Sequence, residues 1–129
     1  MRDFKLYSLF IVVALLLGLS SCGSDKKEVS NEFFTLPRVE FKTGETIHLI
    51  FQAPAGLKEN AWIGIIPSEV KHGSEAENDS YDVAYQYLHG KTKGMMMFTA
   101  PNKPGKYDFR LNSTDENGKE LGFISFEVK

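Results

Sequence analysis

Residues 106–112, KYDFRLN, put Tyr107, Phe109 and Leu111 on one side of an extended chain and Asp108, Arg110 and Asn112 on the other. A period of two suits a β-strand with one buried face, and it cannot build the apolar stripe of a helix, whose period is 3.6. FISFEVK repeats the pattern with Ile124, Phe126 and Val128 against Ser125, Glu127 and Lys129. TIHLIFQ sets Ile47, Leu49 and Phe51 against Thr46, His48 and Gln52, with Ile50 out of step. Further short apolar runs, AWIGII at 61–66, DVAYQYL at 82–88 and GMMMFT at 94–99, are bounded by Pro67, Gly90, Pro101 and Asn117-Gly118. Turn formers at such intervals punctuate strands, and no segment sustains a helical period.

With an early strand in EFFTL or RVEF the count is about seven, which predicts an all-β chain folded as an immunoglobulin-like antiparallel sandwich. Trp62 opens the third of the main strands, where such folds bury a tryptophan. Tyr107 is placed to bond its hydroxyl to backbone upstream as a tyrosine corner, and Phe109 takes the position of a core cysteine in antibody domains. Asn117-Gly118 suits a tight turn between the last two strands. Asp108, Arg110 and Asn112 are expected on a solvated outer face.

The first residues are different. Leu6–Leu19 is apolar apart from Tyr7, Ser8 and Gly18, follows Arg2 and Lys5, and is shorter than the roughly 20 residues that span a bilayer. It has the form of a helical export signal. The next residues, Leu19, Ser20, Ser21 and Cys22, resemble the lipobox of bacterial lipoproteins, and Cys22 is the only cysteine in the chain. The resemblance implies cleavage before Cys22, a diacylglyceryl group on its sulfur and a further acyl chain such as palmitate on the new amino terminus. It also implies a membrane-anchored protein of the bacterial cell envelope. Gly23, rather than an aspartate, after the cysteine points to the outer membrane.

Residues 1–21 are thus expected to be a lipoprotein signal peptide, 22–31 a lipidated cysteine and tether, and 32–129 the sandwich domain. Gly23–Ser30 is small and charged, and as a flexible chain it would span about 16 Å. Loss of Arg2, Asp3 and Lys5 with the leader leaves 108 residues with 13 basic and 16 acidic side chains, a balance of −3. An acidic excess disfavours nucleic acid as a partner. A single thiol excludes an internal disulfide, so stability must come from burial.

The runs AWIGIIP, YDVAYQY and PGKYDFRL, within residues 35–129, resemble SKICH and related small Ig-like domains. That likeness implies the sandwich fold and a non-catalytic interaction or targeting role, without naming a partner.

Polar chemistry gathers in PSEVKHGSEAENDSYD, residues 67–82, where Glu69, Glu75, Glu77, Asp79 and Asp82 accompany His72 and Asn78. Oxygen ligands at this density suit calcium, yet the spacing matches no calcium-loop pattern, so no metal is assigned and a solvated loop is expected. Tyr81, Val83, Tyr85 and Tyr87 alternate onto one face of a strand. An exposed row would stack on sugars, but Val83 among the rings favours a half-buried core edge. Met95 and Met97 with His89 suggest a soft copper site, against which methionine as a gap filler is the more usual role. His48, His72 and His89 lack metal-ligand spacing, and no nucleophile motif is present.

The expected function is therefore a lipid-anchored, non-catalytic envelope module that presents its domain to a protein partner, without a cofactor. The alternative is a glycan-binding accessory lipoprotein. The contact residues expected are Glu69, His72, Glu75, Glu77, Asp79, Tyr81, Tyr85 and Tyr87.

Overall fold

A computed structural model describes residues 27–129. The signal segment, the lipobox with Cys22 and the start of the tether lie outside these described residues.

Two sheets pack face to face, as the alternating strands require. The first has the order β1 (Val29–Ser30), β2 (Phe34–Leu36), β4 (Thr46–Gln52), β7 (Lys93–Thr99). The second has the order β3 (Glu40–Phe41), β9 (Glu120–Val128), β8 (Gly105–Asn112), β5 (Trp62–Pro67), β6 (Ala84–Tyr87). With β2, β4 and β7 as one sheet and β5, β8 and β9 as the centre of the other, this is the immunoglobulin-type arrangement of the A, B, E and C, F, G strands. The expected seven strands become nine because the early segment is split into three short pieces. β3 leaves the first sheet to pair parallel with β9. β1 takes in Val29 and Ser30, which fall in the segment expected as tether, so strand structure reaches into that segment.

Between the sheets lie Ile47, Leu49 and Phe51 of β4, Tyr107, Phe109 and Leu111 of β8, and Ile124, Phe126 and Val128 of β9, all buried. Phe109 is central: its ring stacks on Phe126 with centroids 4.8 Å apart and meets Phe98 at 5.1 Å. Tyr107 makes the tyrosine corner, its hydroxyl donating to the carbonyl of Lys103 at 2.7 Å. β8 and β9 are joined by seven residues rather than a two-residue turn. Asn117 supplies the bend at φ 55°, and the amide of Ser113 bonds across the loop to the Lys119 carbonyl.

The second sheet departs from expectation on its other face. Asp108, Arg110 and Asn112 do point away from the core, but they are buried, because residues 67–82 fold back across them. That segment is not a solvated loop. It holds one helix, α1 (Glu75–Tyr81), whose N-cap Ser74 accepts from the Glu77 amide at 3.2 Å. Ser74 and Glu77 have the S-x-x-E spacing of a capping box, a helix-start signal that seven residues are too few to display as periodicity. Trp62 lies on this covered face as well, paired with Asn112, and not between the sheets. Its ring lies over Gly64, where a Cβ would come within 2.5 Å of the indole. β5 is therefore apolar or small throughout, as a strand covered on both faces should be.

Phe109→Ala should lower stability by about 3–5 kcal/mol, the cost of emptying a well-packed aromatic site. Urea unfolding measures this, and an unchanged midpoint would show that the ring is not central to the core.

Candidate functional site

The covered face is organised by Arg110, whose guanidinium is fully buried. Its Nε and Nη2 donate to Asp108 Oδ2 at 3.0 and 2.8 Å, and Nη1 donates to Asn78 Oδ1 at 2.8 Å. The remaining donors reach carbonyls of the crossing segment, Val70 at 2.8 Å and Lys71 at 3.3 Å. Asp108 is completed by hydroxyl donors, Ser68 at 2.8 Å and Ser125 at 2.7 Å on Oδ1. Among the described residues no buried side-chain polar atom lacks a partner. A satisfied network of this kind fixes geometry, since each group would be costly to leave unpaired.

His72 belongs to this network and not to an open site. Its Nδ1 lies 2.7 Å from Glu120 Oε2, and Arg110 Nη2 lies 3.2 Å from its Nε2. A carboxylate only accepts, so Nδ1 donates to Glu120. The ring also packs on Phe123, centroids 4.3 Å apart.

Glu75 joins the network to the surface. Although buried, its carboxylate accepts from Trp62 Nε1 at 2.9 Å and from the Gly118 amide at 3.2 Å. Beyond it, α1 and the β8–β9 loop converge: Glu75, Asp79 and Asp115 each bring a carboxylate oxygen to within 4.8 Å of the others. Three such oxygens are the start of a shell for a hard divalent cation, which takes six to eight. Asp82 feels the same concentration of charge. Its burial, and next the negative charge of Asp79, push its pKa from 3.8 up to about 6.

Beside these acids runs a row of rings. Tyr85 and Tyr87 sit on the outer face of β6, opposite Gly64 and Trp62 of β5. Their centroids are 5.4 Å apart with planes at 75°, and Tyr85 meets the edge of Trp62 at 6.1 Å. Tyr87 donates to Asp115 Oδ2 at 2.6 Å, and this bond to a carboxylate raises its pKa from 10.0 to about 12. The half-buried core-edge expectation fails for Tyr85, which is 52 % exposed. Tyr87, on the same face but half-buried beside Asp115, does fit that expectation. Tyr81 and Val83 are also exposed, but they are not in the strand: Tyr81 ends α1 and Val83 follows it.

Of the expected contact residues, Glu75, Asp79, Tyr85 and Tyr87 come together. Glu69 and Glu77 are exposed elsewhere on the crossing segment, and His72 is committed to Glu120. Asp115 and Asp82 complete the site, and sequence reasoning had not singled out Asp115. It lies 36 to 40 positions from the acids of α1 in the chain, so only folding brings it near. The methionines divide: Met96 fills the core, while Met95 and Met97 face outward with His48, not His89, as the strand neighbour of Met97. No protein-family model matches the chain, and no match is found among curated proteins or solved structures.

Two outcomes follow from this geometry. Arg110→Ala should cost about 3–5 kcal/mol, because it strands Asp108 without its cation, and should speed amide exchange over residues 68–82 ahead of the core strands. Uniform exchange across the domain would show that the crossing segment does not depend on Arg110. For Asp82 the folded pKa is above the unfolded one, so its contribution to stability is present at low pH and is lost as pH rises from 3.8 through about 6. Asp82→Asn removes that loss. The gap in thermal midpoint in favour of the variant should widen across this window and stay level above it; parallel midpoints at every pH would contradict the shift.

Proposed function

We propose that this protein is a non-catalytic binding module of a bacterial cell envelope, held at the outer membrane by lipid on Cys22, and that it receives a protein partner on the tyrosine and carboxylate face. The observation that carries the reading is the exposure of Tyr81, Val83 and Tyr85 beside Asp79, Asp82 and Asp115. Exposed rings among acids suit a partner surface bearing lysine and arginine. Cations gain from the faces of tyrosine rings and from carboxylates together, and the negative field speeds the encounter. Aromatic anchors commonly dominate such interfaces.

A second reading has one observation in its favour. Tyr85 presents an open ring with carboxylate acceptors at hand, which is also how a sugar is stacked and its hydroxyls bound.

Crosslinking in intact envelopes followed by capture tests the partner, and calorimetry against cell-wall and dietary polysaccharides tests the sugar. The expected result is a reproducible protein partner whose affinity falls with salt and drops about tenfold, roughly 1.4 kcal/mol, in Tyr85→Ala. Binding to a polysaccharide instead would favour the second reading, and no partner in either assay would sink both. Cys22→Ser should move the protein from the membrane to the soluble fraction without altering its unfolding midpoint. A Cys22→Ser protein that still sediments wholly with membranes would remove the anchor.

A further inference from the structure

On the opposite side of the molecule, the outward row of the first sheet runs Ser30, Thr35, Ile50, Met95, one residue from each of β1, β2, β4 and β7 in direct register. Met97, paired with His48, sits one step along the strands from Met95. Ile50, Met95 and Met97 are 50 %, 61 % and 59 % exposed, and none of the described elements covers them. The outward positions of these four strands include Lys93 and His48 but no acid, and one acid, Glu32 of the β1–β2 turn, lies at the rim beside Ile50 and Met95. The acids of the helix-bearing segment lie on the far side of the other sheet. The two broad faces are thus chemically opposed.

The chain itself indicates what covers the apolar one. β1 is the edge of this sheet, and Ser30, in the row that contains Ile50 and Met95, follows directly on the segment that leads back to Cys22. Seven peptide steps separate Cys22 from Val29, so even at full extension they are no more than about 24 Å apart. From β1 to β7 the sheet is three strand spacings wide, about 14 Å. A lipid on Cys22 therefore keeps the β1 edge of this face within about 24 Å of the bilayer surface, close enough for the face to reach it.

We infer that the outer face of the first sheet lies against the membrane, with Ile50, Met95 and Met97 in the boundary between headgroups and acyl chains. This rests on the reading of Cys22 as the lipid anchor. Unbranched thioethers adapt to an irregular surface, as lipid packing demands. Lys93 attracts anionic lipid and offsets Glu32, the acid at the rim of this face. The anchor supplies the strong attachment, and the apolar patch sets orientation, turning the tyrosine and carboxylate face away from the lipid toward a partner.

The test uses the full, naturally acylated protein in vesicles of phosphatidylethanolamine with a minority of phosphatidylglycerol. Met97→Cys and, as a control on the far face, Glu77→Cys each take a spin label; Cys22 is blocked by its lipid. The label at 97 should be relaxed by oxygen and shielded from a water-soluble nickel chelate, while that at 77 should show the reverse. Protein that floats with the vesicles while the label at 97 is as open to the chelate as that at 77 overturns the orientation alone. A label at 97 shielded from both reagents, and only at high protein density, overturns it in favour of a second copy of the chain. Protein that does not float and has an unmodified Cys22 by mass overturns the anchor and the orientation together.

Discussion

The buried guanidinium of Arg110 is the constraint on which the rest of this molecule turns. A cation removed from water must be met on every side, and here Asp108, Asn78 and the carbonyls of Val70 and Lys71 do so. Most of those partners belong to residues 67–82. The charge on one strand thereby dictates the path of a 16-residue connection that would otherwise be free to wander. Arginine suits this role because its five donors form a rigid planar fork, which the three donors of a lysine ammonium would not reproduce.

From that path follows the placement of α1, and from α1 the candidate site. Glu75 is held by Trp62 and Gly118, so the helix is fastened both to β5 and to the β8–β9 loop. This fastening brings Asp79 to Asp115, with Tyr87 bonded to Asp115 and Tyr85 exposed beside it. The site is thus built on a rigid support even though its own residues come from a helix, a loop and an edge strand. Mutual repulsion among the carboxylates is tolerated because the hydrogen bonds beneath them are complete.

The sandwich also separates its chemistry into layers. One broad face carries acids and tyrosines, the middle is a phenylalanine-rich core, and the other broad face presents apolar side chains with a single acid, Glu32, at its rim. A period-two strand can address two environments with one sequence, and β4 and β7 use that property to hold Leu49 and Met96 inside while showing Ile50, Met95 and Met97 outside. Exposed methionines alternating with a buried one are difficult to explain by core packing alone.

Alternation along the chain determined which residues make strands and which of their faces meets the core, because the pleat admits no other assignment once one face is buried. It placed Phe109, Phe126 and Leu49 correctly, and the Pro-Gly-x-Tyr run located the tyrosine corner. What alternation cannot state is what lies beyond the second face. Asp108, Arg110 and Asn112 look the same in sequence whether water or a folded segment covers them, so their burial, the turning of Trp62 away from the core and the meeting of Asp79 with Asp115 were decided only in three dimensions. Local pattern carries information over a few residues, whereas desolvation of a charge depends on groups some 30 to 40 positions distant, and those are assembled by the tertiary fold.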